Sequence, residues 1–227
     1  MEPVLTFDSV TWATASASAE PLGPVDVVLP PGGMQGICYS AETDCPPIAD
    51  LAAGLREPQA GQVTFAGQPW SAYAPFAAAA ARGRIGRIFA GQAWVSNLDV
   101  DENITLAQRH HGHAKPADVR KSAEALARRL GLNGLPGTRP AWTPRRELQL
   151  AQWVRALLAP PSLLLVEQPW PDFSDGPGAA LRTEIETARK AGMAVVWLVN
   201  DERLMNNEYL KTSQWGCWQD GKWTRIK

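Results

Sequence analysis

The sequence predicts an α/β fold in which a mostly parallel sheet is interrupted by an inserted helical subdomain. Three observations carry that prediction. Residues 162–167 and Ala194–Val199 are nearly continuous apolar runs of strand length, the pattern of strands buried on both faces. A helical stretch, 180–191, lies between them and gives strand–helix–strand. From about 91 to 158 the pattern turns from short strands to helical periodicity.

Leu5–Trp12 alternates loosely and reads as a strand, the Ala/Ser-rich stretch 13–20 as a turn, and 25–29 as a second strand closed by Pro30-Pro31-Gly32-Gly33. Met34–Tyr39 is a short apolar run, followed by a polar loop and by 48–55, which has helical composition. Residues 62–65 and 84–89 read as further strands, with Gly67 in the turn after the first. Within the helical part, Val119, Ala123, Leu126 and Leu130 share one face, and 148–158 is a second apolar helix. Near the end, 215–218 and 222–226 flank Asp220-Gly221, a hairpin signal. The expected division is an α/β core of 1–90 and 159–227 with 91–158 inserted.

With 227 residues, 45% hydrophobic and 20% charged, the chain can bury a sizeable core, and disorder is excluded. Lys+Arg is 22 against Asp+Glu 23, so no global basic field exists to hold nucleic acid or an anionic membrane. Three cysteines, Cys38, Cys45 and Cys217, form no disulfide framework and suit a reducing compartment. No run approaches the about 18 apolar residues a membrane span needs, and the N-terminus does not resemble a signal peptide. A cytoplasmic protein is expected, one that docks on a membrane protein if it meets a membrane at all.

Four fragments in order carry a resemblance. They are Leu51–Leu55 (LAAGL) with Gly61–Gly67 (GQVTFAG); Ile85-Gly-Arg-Ile-Phe89 with Asn97-Leu98 and Asp101-Glu-Asn-Ile104; Trp153–Leu157 (WVRAL) with Leu163–Pro169 (LLLVEQP); and Val195–Asp201 (VVWLVND). Together they resemble the nucleotide-binding subunit of ATP-binding cassette (ABC) transporters over nearly the whole chain. The resemblance implies a P-loop NTPase-like core with N-terminal antiparallel strands, and an inserted helical subdomain.

That family's phosphate loop needs glycines, a lysine and a hydroxyl. The resemblance sets residues 39–47 (YSAETDCPP) over it, with Ser40 inside the loop, Cys45 at the lysine, and Pro46 and Pro47 at the hydroxyls. Proline has no N–H to offer a phosphate. Glu42 and Asp44 add negative charge. Each lost charge-assisted hydrogen bond is worth roughly 1.5–3 kcal/mol. One carboxylate about 4 Å from a phosphate costs on the order of 4 kcal/mol at an effective dielectric near 20. The sum exceeds about a thousandfold in affinity. Residues 40–47 are therefore expected to be an ordinary strand–helix connection with the prolines in the helix's first turn, the alternative being a non-standard nucleotide site.

The other positions agree. The family's glutamine corresponds to Ala90, with Gln92 two residues off; its signature loop to Thr143-Pro144-Arg145-Arg146-Glu147; its Walker B pair to Glu167 and Gln168; its switch histidine to Asn200. Glu167 is the one group left to hold magnesium through water. Gln168 cannot act as general base, because an amide does not take a proton near neutral pH. Thr143 and Pro144 suit an N-cap and a first turn, while Arg145 and Arg146 block close backbone approach yet attract anions. The adenine-stacking aromatic corresponds to Thr14, or to a displaced Trp12. His110-His111-Gly112-His113 reads as a surface loop rather than a metal site, and Cys45 as an inert thiol, with Glu42 and Asp44 raising its pKa.

The resemblance implies a non-hydrolysing structural or regulatory subunit that docks a transmembrane permease, an active ATPase partner, or both, at the inner face of a membrane. The permease's coupling helix would enter a groove between core and helical subdomain. The segment 102–111 resembles subunits of lipid-trafficking ABC systems. No cofactor is expected. ATP and magnesium enter only if a residual ATP-binding switch or slow ATPase survives. A free-standing interaction module, using Trp215, Trp218 and Trp223 as an exposed face, is the third reading.

Overall fold

The structure is a computed structural model that describes residues 2–13, 21–40, 45–91, 93–111, 114–167, 176–201, 204–205, 214–219 and 222–226. Ten strands and six α-helices follow one another among the described residues: β1 Leu5–Trp12, β2 Leu22–Leu29, β3 Met34–Tyr39, α1 Ile48–Ala52, β4 Ala60–Phe65, β5 Gln68–Pro69, α2 Pro75–Arg82, β6 Ile85–Ile88, α3 Val100–His111, α4 Pro116–Arg129, α5 Arg145–Leu157, β7 Leu163–Glu167, α6 Gly176–Lys190, β8 Ala194–Val199, β9 Gln214–Gln219 and β10 Lys222–Arg225.

Two sheets form. The smaller is antiparallel, in the order β2-β1-β4-β5. The larger has the order β10-β9-β3-β8-β7-β6, parallel throughout except for the terminal hairpin. Strands β3, β7 and β8 are buried at every position, which is why their sequences run apolar without alternation.

Successive side chains still point to opposite faces. Met34, Cys38, Leu164, Val166, Val195, Trp197 and Val199 join the core under α3–α6. Ile37, Tyr39, Leu163, Leu165, Val196 and Leu198 join the second core, against α1 and the smaller sheet. Glu167 continues the second series at the carboxyl end of β7, where open α/β sheets bind ligands.

The structure corrects several expectations. Helix α2 was not anticipated; its alanine run starts with proline at the first turn, where a missing N–H costs nothing. Residues 100–111 form a helix with Asp101 and Glu102 in the first turn and Arg109, His110 and His111 in the last, both matching the helix dipole. His110 and His111 therefore sit on a helix end, not in a loop, their rings edge to face at 4.5 Å. Gly112 and His113 lie outside the described residues. Pro46 and Pro47 precede α1 instead of filling its first turn, Pro47 standing at the N-cap. Trp215 and Trp218 are buried rather than exposed, one in each core, and Trp223 packs on the core that holds Trp218. A Cβ on Gly216 would come within 1.9 Å of the Trp223 ring, so the hairpin is seated by that glycine. Asp220 and Gly221 of its turn lie outside the described residues.

Candidate functional site

Strand parity builds the site. Arg87 lies on β6 and Glu167 on β7, and the parallel register sets Arg87 beside Leu165, one same-face step from Glu167. The guanidinium grips that carboxylate: Nε and Nη2 donate to Glu167 Oε1 at 2.7 and 2.5 Å. Its Nη1 donates to Asp50 Oδ1, on α1, at 2.6 Å. The Ala90 N–H donates to Glu167 Oε2 at 3.3 Å. The Arg87 and Glu167 side chains are 17% and 11% exposed, so water screens this pair weakly. Phe89 lies against the guanidinium at 4.5 Å.

Cys45 stands at the same cluster. The residue is exposed while its sulfur is largely shielded, and the thiol is pushed above its ordinary value. Loss of water is the main cause, and the Glu167 and Asp50 charges add to it; a hydrogen bond with Tyr39 and the Arg87 charge act the other way. An inert thiol is the outcome expected, and among the described residues the acids that contribute are Glu167 and Asp50. Glu42 and Asp44 lie outside the described residues. The Pro46 carbonyl accepts from the Ile48 N–H at 2.7 Å, and α1 has no side-chain cap. Ser40, half-buried, follows directly on β3.

Gln152 of α5, buried, holds the segment after β6: its Oε1 accepts from the Phe89 N–H at 3.0 Å and its Nε2 donates to the Phe89 carbonyl at 3.3 Å. Asn103 does the same for the approach to α3, accepting from Val95 N–H at 2.9 Å and donating to the Val95 and Asp99 carbonyls at 3.1 and 3.0 Å.

The remaining expected positions scatter. Thr143 is not an N-cap: its hydroxyl turns back to the Thr138 hydroxyl at 2.8 Å and the Arg139 carbonyl at 3.0 Å, and Pro144 caps α5 without a side-chain bond. Arg145 and Arg146 are exposed, Glu147 half-buried. Arg145 lines a hollow of about 220 Å³ with Ala90, Trp94 and Gln149, which adjoins the Cys45–Glu167 cluster at Ala90 but is not lined by Cys45, Arg87 or Glu167. Asn200 is exposed just past β8. Trp12 is buried at 4.7 Å from the Trp218 ring and is not a free stacking platform. Gln92, Gln168 and Thr14 lie outside the described residues. No group of three or more metal-ligating side chains occurs among the described residues. Sequence reasoning missed Arg87 and Asp50. The signal was present: Arg87 is a cation inside a short, otherwise mostly apolar strand and Glu167 an acid at the end of another.

The fold defines the class first. Solved ATP-binding cassettes superpose on 98% of the chain: the ATP-binding subunit of an ABC transporter at TM-score 0.81, and dimeric MJ0796, a bacterial ABC transporter cassette, at 0.83, each with 17% identity and covering 90% and 99% of those chains. The chain is also 30% identical over 208 residues to the lipoprotein-releasing system ATP-binding protein LolD of Maricaulis maris, covering 88% of this chain and 89% of that one. It belongs to the family of ABC transporter ATP-binding subunits. A sulfate/thiosulfate import ATP-binding protein, CysA of Caulobacter vibrioides, is 29% identical over 80% of the chain, which spans about half (53%) of that relative's length. The cell division ATP-binding protein FtsE of Haemophilus influenzae is 24% identical over 90% of the chain and 94% of its own. No family model matches.

Proposed function

We propose that this ABC ATP-binding-type subunit does not hydrolyse ATP and serves as a structural or regulatory subunit beside a transmembrane permease, a second ABC ATPase subunit, or both. The observation that carries the proposal is the Arg87 guanidinium on Glu167 and Asp50. The acid that aligns with the family's magnesium-binding position already has an internal counter-cation. Displacing it would strand a partly buried charge, which is strongly unfavourable. Cys45, Pro46 and Pro47 supply neither the cation nor the hydroxyls a triphosphate needs, and the proline nitrogens carry no N–H.

In this reading 91–158 is a helical subdomain inserted in a core of 1–90 and 159–227, and the cleft between them receives the permease. No described helix is long and apolar enough to cross a membrane, so attachment at the inner, cytoplasmic face is through that partner. The likeness to a lipoprotein-releasing protein supports a lipid-handling system. Trp215 and Trp218 are buried, so they do not offer the exposed contact face that a free-standing module would use. A residual ATP-binding switch has one observation in its favour, the two exposed arginines at an α5 start that lacks a side-chain cap.

Thermal unfolding with and without millimolar ATP–magnesium decides between them. The expected result is no shift in Tm. A rise of several degrees overturns the proposal, because any ligand that binds the folded state stabilises it by mass action.

A further inference from the structure

Strands β3 and β9 run parallel, and their register sets Cys38 directly beside Cys217. Both side chains enter the core under α3–α6, so the two thiols share one face of the sheet. Both are reduced in the structure, with 0% of Cys38 and 6% of Cys217 exposed. The preceding rung on that face pairs Gly36 with Trp215. The indole lies over the glycine, where a Cβ would come within 2.3 Å of the ring. The glycine thus admits the ring and fixes the register one rung before the thiols.

This pair takes no part in the Arg87–Glu167–Asp50 cluster. The third thiol, Cys45, hydrogen-bonds with Tyr39, whose side chain enters the opposite core, so it stands toward the other face of β3. Neighbouring strands lie about 4.8 Å apart. That is inside the window of about 4.4–6.8 Å between the Cα atoms of a disulfide, on its short side. Beyond β9 the sheet has only the edge strand β10, which is exposed along most of its length. Elements at such a margin open more readily than the centre of a sheet.

We infer that Cys38 and Cys217 are a redox-active dithiol. A low-molecular-weight disulfide such as oxidised glutathione converts them to an intramolecular disulfide, and the reduced form returns them to thiols. Cys217 is the point of entry, being the less buried of the two and on the strand next to the edge. When the hairpin opens, the Cys217 thiolate attacks one sulfur of the oxidant, forms a mixed disulfide and releases one small thiolate. The Cys38 thiolate then attacks the Cys217 sulfur, forms the protein S–S bond and releases the second. The chain loses two electrons and two protons, the oxidant gains both, and two small thiols leave. The short span makes the bridge easy to reduce again. While closed, it ties the terminal hairpin to the strand that runs directly into Ser40, at the candidate site. This chemistry is independent of whether the chain handles ATP.

The full chain, purified with its thiols reduced, is equilibrated at pH 8 in glutathione buffers of rising oxidised fraction. Products are trapped with acid, alkylated in denaturant and read by peptide mass spectrometry. The expected product is one intramolecular bond between Cys38 and Cys217. It forms over hours while far-UV circular dichroism stays that of the folded chain, and an excess of reduced glutathione opens it. Cys45→Ser forms it to the same extent and Cys217→Ser forms none; wild type and Cys45→Ser carry the test if Cys217→Ser does not fold. Two unchanged thiols at the most oxidising ratio overturn the inference. So does a bond from either residue to Cys45, a link between two chains, or a mixed disulfide that never closes on Cys38. A Cys38–Cys217 bond that appears only in the urea-unfolded chain, or that excess reduced glutathione leaves intact, also overturns it.

Discussion

At Arg87 one guanidinium joins three elements: its own strand β6, Glu167 at the end of β7 and Asp50 on α1. The electrostatics reach Cys45, whose thiol burial raises and the two acids raise further. A raised pKa leaves less thiolate at neutral pH, and the thiolate is the reactive form. Iodoacetamide at pH 8, followed by mass spectrometry, is therefore expected to label Cys45 more slowly than a free cysteine peptide. Glu167→Gln removes a raising charge and speeds labelling; Arg87→Met removes a lowering charge and slows it. Faster labelling in Arg87→Met would refute this account of the site. Cys38 and Cys217 are buried and stay unlabelled in the folded chain. That Cys45, Pro46 and Pro47 carry neither a cation nor a hydroxyl was legible in the sequence, since residue types need no coordinates. The Arg87–Glu167 contact was not, because it depends on the register between two strands whose paired residues are 80 apart.

Helix α3 shows what an element hides from its own sequence. Its apolar face is narrow, only Val100, Asn103 and Ile104 being buried, so periodicity gave a weak signal. What fixes it is Asn103, whose amide binds the backbone of 95–99 on three carbonyls and one N–H. Asn103→Ala leaves those buried groups without partners, at a cost of about 2 kcal/mol. Urea unfolding measures it; a change below about 0.5 kcal/mol would place Asn103 among ordinary surface positions. The terminal hairpin fails in the other direction. Its tryptophans suggested a contact face, but β9 adds to the parallel sheet beside β3, and only long-range pairing could reveal that. The same pairing explains Gly36, where a Cβ would lie 2.3 Å from the Trp215 ring. By contrast β7 and β8 were plain from composition alone, because a strand covered on both faces has nowhere to put polar residues.

For the molecule as a whole, the fold was readable because order and spacing survive when individual motifs change. The candidate site was readable only as residue types that differ from the family's motifs. That asymmetry makes a prediction about repair. Cys45→Lys, Pro46→Ser and Pro47→Thr together restore the lysine and hydroxyls of the family's loop, though not its glycines, and Arg87 still holds Glu167, Gln168 cannot take a proton, and Asn200 stands at the switch position. A phosphate-release assay on the triple variant is expected to stay at background. Measurable turnover would mean that the loop alone had silenced the chain.

The bridge at Arg87 also makes the history of this chain hard to reverse. Removing the arginine first sets two carboxylates against each other with nothing between them. Restoring the loop lysine first crowds a second cation onto acids already neutralised. Either route crosses a less stable intermediate, so the Arg87 cation is held in the framework by stability, whatever the chain does with ATP.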